Sequence, residues 1–443
     1  MHLLRQKTTH TFACLMTLSL LPFVIPSLQR WRITLPQAAS TQAPAQATVS
    51  TSPMITESGP GEIEDASGKA LQPFFAALRK TETSNHITRI SHYGDSPITG
   101  DLITSTVRRT LQLRFGDAGH GFILAAKPWA WYGHIGVNHS VSSGWQSEPM
   151  FIGKGDHRYG FGGATFTTRA AGVTASFSTV DKGEVGKSVS AFDIYFLAQP
   201  GGGEFDVEVD GQRQARVTTA SNETRSGFHR VNMAAGEHLL TLRTVGNGEV
   251  RLFGVVLESG ARGVQYDSLG VNGAFVGLLN RYQDEATWAE QLQRRKPDLV
   301  ILAYGANESE YENWPMEQYE KDTREVVRRI RAALPNASIL FVGPMDRGKR
   351  GAGAAIVTRP TIPKLIEAQR RLAAELGCAF FDTFTAMGGE GTVARWYEAK
   401  PKLMTSDLTH PTWQGSEIVG SLIHDALLRA YEKRRGATTL AQK

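Results

Sequence analysis

Apolar positions in this chain follow three regimes. From about Ala66 they recur at helical spacing (Leu71, Phe74, Phe75, Leu78), then an extended segment from His86 to Tyr93 runs into Gly94-Asp95-Ser96. Asp101 to Phe115 returns to helical spacing with Leu102, Ile103, Val107, Leu111 and Leu113. The alternation resumes later, with helices over 287–295, 316–334 and 362–376 preceding apolar strand runs over 299–304, 338–342 and 379–384, and a last helix over about 412–434. Strands that are apolar throughout and alternate with helices predict a parallel sheet covered on both faces. Residues 66–137 and 262–435 therefore read as one split α/β domain, with 436–443 as a tail.

The second regime, 138–261, has period two. Phe205-Asp206-Val207-Glu208-Val209 ends at Asp210-Gly211, His238 to Leu242 alternates again, and Val250 to Leu257 follows. Short alternating strands with glycine turns predict an antiparallel β-sandwich inserted into the α/β domain.

The third regime is the N-terminus. Arg5 and Lys7 precede an apolar run from Phe12 to Ile25 and then Pro26-Ser27. That run is shorter than the roughly 20 residues that cross a bilayer and fits the core of a signal peptide. Residues 1–27 are expected to direct export, with an uncleaved anchor as the alternative, and 28–65, rich in Pro, Ser, Thr, Ala and Gln, to form a flexible linker.

Composition sharpens this division. The 443 residues carry a formal charge of +5, but Arg5, Lys7, Arg30 and Arg32 lie in the first 39 residues, which hold no Asp or Glu. The remainder is +1, which offers no basic stripe for nucleic acid. Removal of a leader containing Cys14 leaves Cys378 alone, so stability is expected from packing rather than from a disulfide.

Four short signals occur in order: Gly94-Asp95-Ser96, Gly270-Val271-Asn272-Gly273, Gly305-Ala306-Asn307-Glu308 and Asp407-Leu408-Thr409-His410-Pro411. Ser96 and Asn307 each follow an apolar strand, where ligands bind in open parallel sheets. The spacing of Asp407 and His410 lets a carboxylate turn back onto one imidazole nitrogen while the other faces a hydroxyl. A serine hydroxyl becomes a nucleophile only when such an oriented base takes its proton.

On these motifs the chain resembles the SGNH, or GDSL-like, hydrolase family. The segments RISHYGDSPITGDLITSTVRRTLQLRFGDAGHG, VRLFGVVLESGARGVQYDSLGVNGA, DLVILAYGANE and DLTHPTWQG look like its peptidoglycan O-acetylesterase branch, in which a carbohydrate-binding-like sandwich is inserted between the first two signatures. The likeness covers about residues 67–435, and Pro97 stands where many relatives have another residue, often His. It implies a flavodoxin-like parallel sheet, Ser96 as nucleophile, His410 as base and then acid, and Asp407 as its orienter. It further implies an oxyanion hole from the backbone N–H groups of Ser96 and Gly273 and the amide of Asn307, with Gly270 as a competing donor.

Other residues have quieter readings. Asp95 is expected to brace its turn, and Glu308 and Glu310 to form a solvated rim. Trp129, Trp131, Tyr132 and Trp145 suit either sugar stacking or core packing. Asp206, Glu208, Asp210 and Gly211 mimic the start of a calcium loop, but Val217 occupies its twelfth position, so a hairpin turn is expected. Gly116, Gly119 and Gly121 do not open a βαβ unit, and no Cys or His pair has zinc spacing, so no cofactor and no metal are expected. The function expected is an exported serine esterase acting on an acetylated glycan, peptidoglycan or another polysaccharide. Its localisation is expected to be the periplasm or cell envelope, without nucleic acid and without membrane contact beyond an N-terminal anchor. An O-acyltransferase or a lipid or thioester hydrolase on the same fold is one alternative, and a non-catalytic glycan-binding envelope protein is another.

Overall fold

Each strand of the central sheet sends alternate side chains into two different cores. In the computed structural model, which describes residues 61–152 and 155–441, parallel strands run in the order Gly263–Gly270, Ile87–Gly94, Leu299–Ala303, Ser338–Val342, Ala379–Phe381. Ranked by chain position this is 2-1-3-4-5, the flavodoxin-like order, whose switch point lies between the first and third strands. Ile90, Tyr266, Leu299, Ile301 and Leu340 face a core shared with the helices Gln72–Thr83, Leu102–Phe115 and Trp413–Ala441. Tyr93, Leu269, Val300, Leu302 and Phe341 face the other core. Helices on both faces explain why these strands are apolar without alternation.

That second core is continuous with the interior of the sandwich: Phe166, Phe177, Phe192 and Leu240 belong to the same buried cluster as Leu302. One antiparallel sheet runs Gln212–Thr218, Glu204–Val209, Leu239–Thr244, Thr174–Thr179, Val137–Val141. The other runs Arg225–Gly236, Val189–Ala198, Val250–Glu258, Ala164–Thr168, Gln146–Pro149, with Gly121–Leu124 also paired to Val250–Glu258. Antiparallel pairing thus begins upstream of position 138. The period-two reading holds: Phe205, Val207, Leu240 and Leu242 point inward, while Asp206 and Glu208 pair across strands with Arg216 and Arg243. Asp210 and Gly211, at φ 54° and 78°, form the expected hairpin turn. The sandwich is tied to helix Glu285–Arg295 by two hydrogen bonds from Arg294 to Asp193 (2.9 and 2.7 Å) and by Ser226 N donating to Glu290 (2.7 Å).

Three expectations change. Ile63–Glu64, read as linker, pairs antiparallel with Ala379–Phe381, a two-residue strand too short to show a hydrophobic period. The last helix continues to Ala441, through the stretch read as a tail. Leu113 is 48% exposed, on the outer side of its helix. The leader 1–27, Cys14 and the linker up to residue 60 lie outside the described residues.

Candidate active site

Gly94 closes the first strand where a side chain has no room: a Cβ there would lie 2.6 Å from Ile98 Cγ1 and 2.9 Å from the Ala303 carbonyl. The chain can therefore turn at once into the short helix Ser96–Thr99, which leaves the Ser96 hydroxyl at the carboxyl end of the sheet. Asn307 follows the adjacent strand, so the two flank the switch point. His410 arrives from a loop closed by Thr405 N donating to His410 O (2.9 Å) and Gly348 N donating to Leu408 O (2.8 Å).

His410 bridges two groups. Its Nε2 lies 2.7 Å from Ser96 Oγ and its Nδ1 2.8 Å from Asp407 Oδ2. Asp407 Oδ1 accepts from the backbone N–H groups of Thr409 (2.9 Å) and His410 (3.0 Å) and from the Thr405 hydroxyl (2.7 Å). Partial burial pushes the Asp407 carboxyl up, but these donors and the imidazole outweigh it and hold the pKa down at about 2. Asp407 is thus a fixed anion, and its position orients the ring with the second nitrogen toward serine.

The Gly305–Glu308 segment sutures the other motifs together. Ala306 N donates to Asp95 Oδ2 (3.0 Å), Asn307 Nδ2 donates to Ala274 O (2.7 Å), and Val276 N donates to Glu308 Oε1 (2.9 Å). Asp95 caps no helix of its own turn and instead holds the Ala306 loop, and burial pushes its pKa up to about 6 against that hydrogen bond and the nearby Arg347. Glu308 overturns the solvated-rim reading. It is 1% exposed, holds the Val276 backbone, and burial pushes its pKa up to about 8. Glu310 does lie nearer solvent, paired with Arg347 and Arg359. Gly273 sits in an exposed loop at φ 74°, whereas Gly270 is buried opposite Gly94 in the sheet.

Above Ser96 and His410 opens a cavity of about 400 Å³, walled by Pro97, Leu102, Trp131 and Asn272. Of the four aromatics considered for sugar contact only Trp131, 61% exposed, reaches it. Trp129 and Tyr132 are buried, the Tyr132 hydroxyl accepting from Leu124 N (2.9 Å), and Trp145 donates to Thr174 O (3.0 Å) inside the sandwich. Trp129 and Tyr132 fill the core, while Trp145 is half-buried against it and away from the cavity. Among the described residues no cluster of three or more His, Cys, Asp or Glu is placed to hold a metal ion.

Arg347 was not legible as a site residue. Its Nε donates to Thr409 Oγ1 (2.9 Å), and its other nitrogens reach the Ala306 carbonyl and Glu310. One guanidinium therefore joins the loop carrying His410 to the loop carrying Asn307, and burial lowers its pKa despite Glu310. The available signal was its place in Pro344-Met345-Asp346-Arg347, just past strand Ser338–Val342, as Ser96 and Asn307 stand past theirs.

Known proteins share the fold. Residues 239–418 match the GDSL-like Lipase/Acylhydrolase family, a span that holds Gly273, Asn307, Asp407 and His410; Ser96 lies outside it, beyond most of the sandwich. A solved peptidoglycan O-acetylesterase superposes with a TM-score of 0.71 at 24% identity, covering 84% of this chain and 99% of that one. An acetylxylan esterase of Xylanibacter ruminicola is 30% identical over 94 residues, which is 20% of this chain. The match spans 18% of that relative's length. The four motifs join at the switch point of a 2-1-3-4-5 sheet, and three of them lie in the stretch 239–418 that matches the GDSL-like lipase/acylhydrolase family.

Proposed function

We propose that this protein is an exported serine esterase that hydrolyses O-acetyl esters on a carbohydrate, with peptidoglycan as the first substrate to test. The observation that carries the reading is His410 held between Ser96 and Asp407 at hydrogen-bonding distance on both sides. Ser96 Oγ attacks the acetyl carbonyl carbon while His410 Nε2 takes its proton, and the Asp407 anion stabilises the imidazolium. The oxyanion that forms is held by the N–H groups of Ser96 and Gly273 and by Asn307. One Asn307 amide proton is engaged by Ala274 O, which fixes the group and leaves the second for the oxyanion. Collapse expels the sugar oxygen, which takes the proton from His410. Water, deprotonated by the same imidazole, then attacks the acetyl-Ser96 carbonyl and releases acetate.

Support for a sugar ester comes from the named relatives, which act on peptidoglycan and acetylated xylan, and from Trp131 beside the nucleophile. Export is supported by the pattern of residues 1–27 and is tested by fractionating cells that express the full chain. The chemistry is tested by acetate release from purified acetylated peptidoglycan and xylan. Ser96→Ala should lower turnover by at least about 10³-fold with the circular dichroism spectrum unchanged. Retained turnover in that variant would refute the mechanism.

A further inference from the structure

A second cavity of about 170 Å³ adjoins the one above Ser96, and Leu102 stands in the wall of both. Pockets for drug-sized ligands run to roughly 300–1,000 Å³, so this smaller space suits one ring-sized group placed beside the reacting one. Three parts of the molecule build it: one side of helix Leu102–Phe115, the start of helix Trp413–Ala441, and the sandwich loop 182–186.

Its walls carry unused binding capacity. Trp413, three residues past His410, is 56% exposed, a large apolar face left in water on a cavity wall. Lys182 has no ion pair or hydrogen bond among the described residues, and Arg109 reaches Glu417 only at 3.7 Å. His120 is 4% exposed and donates from Nε2 to Gly186 O (2.8 Å), while its Nδ1 has no partner. A flat indole and two flexible cations match a pyranose, whose C–H face stacks on an aromatic ring while its hydroxyl oxygens accept from the cations.

We propose that this cavity is a subsite for a second pyranose of the glycan, the neighbour of the residue whose ester meets Ser96. Loop 182–186 is then the part of the sandwich that touches substrate. The inference rests on the carbohydrate-esterase reading above and extends it to a substrate of at least two sugars.

The test compares the full chain with Trp413→Ala and Lys182→Ala on O-acetylated xylotetraose and chitotetraose, on the matching acetylated monosaccharides, and on nitrophenyl acetate. The ratio of tetrasaccharide to monosaccharide kcat/KM should fall roughly tenfold for Trp413→Ala, mainly through KM. It should fall several-fold for Lys182→Ala, which keeps the question open to decision if the tryptophan variant does not fold. Unchanged ratios in both variants overturn the subsite and leave the esterase reading intact. A fall of the same size on monosaccharide and tetrasaccharide means a structural role and also overturns it. A wild-type protein that cleaves nitrophenyl acetate but no acetylated sugar removes the carbohydrate reading, and the subsite with it.

Discussion

The sandwich and the parallel sheet share one core but use polar residues in opposite ways. In the sandwich the carboxylates of Asp206 and Glu208 lie on the outer face of a sheet, each held by an arginine of a neighbouring strand at the surface. With their arginines in solvent, pairs of this kind contribute little, about 0–1 kcal/mol, and the sandwich is held by the aromatic and branched side chains beneath them. At the carboxyl end of the parallel sheet the carboxylates of Asp95 and Glu308 are buried and grip backbone N–H groups of other loops. A buried carboxyl costs stability unless its bonds are good, so its presence there fixes geometry rather than adding to the fold. The difference predicts that damage to the two regions separates stability from turnover.

The largest expected effect is on stability. Phe177 is fully buried in the sandwich and its ring stacks on His139 with centroids 4.6 Å apart. Phe177→Ala should cost about 3–5 kcal/mol of unfolding free energy. Because its cluster is continuous with that of the parallel sheet, denaturation should remain a single transition shifted to lower denaturant. The folded fraction should keep its turnover of nitrophenyl acetate. Two separated transitions would show that the shared core does not couple the regions.

The converse variant is Arg347→Ala. Removing the guanidinium unties the His410 loop from the Asn307 loop, through Thr409 Oγ1 and the Ala306 carbonyl. Misplacement on the order of 1 Å between a base and an oxyanion donor is worth about 10² in rate, so kcat should fall by that factor. KM for a small ester should change far less. Arg347→Lys, which cannot bridge both loops in one plane, should recover only part of the loss. A fall in Tm with full kcat would assign Arg347 to stability instead.

How much of this was legible in sequence follows the same division. The parallel sheet and the inward face of the sandwich rest on contiguous periods, and Asp407 and His410 stand three positions apart, whereas the pairing of His410 with Ser96, 314 positions away, was readable only through the order of the four motifs and the family they resemble. Arg347 and the burial of Glu308 were not legible, because each depends on a partner about 30 to 60 positions away and on the way loops fold back over strand ends. Ile63–Glu64 was missed for a related reason, since two residues carry no period and only the edge of Ala379–Phe381 makes them a strand. The aromatics divided on burial: Trp129 and Tyr132 were absorbed by packing, Trp145 lies half-buried against the sandwich core, and of the four only Trp131 reached the site.

The smallest effect is the most diagnostic of the buried carboxylates. Glu308 has its pKa raised by burial to about 8 from an ordinary value of 4.5, so between those limits the folded protein holds a proton that the unfolded chain has released. A native state that binds the extra proton loses stability as pH rises. The contribution is therefore fully present below about pH 4.5 and gone above pH 8, with a slope of at most about 1.4 kcal/mol per pH unit between. Glu308→Gln keeps an oxygen for the Val276 N–H but carries no titrating proton. Its stability, from urea titrations at pH 5, 6, 7 and 8, should follow a flatter line than wild type and cross above it toward pH 8. Asp95, raised to about 6, should leave a residual slope only below that pH. Parallel lines for the two proteins would mean that Glu308 is ionised in the fold. The suture between the Asn307 and Gly273 loops would then be a charged hydrogen bond to Val276, and Glu308→Gln should weaken it at every pH.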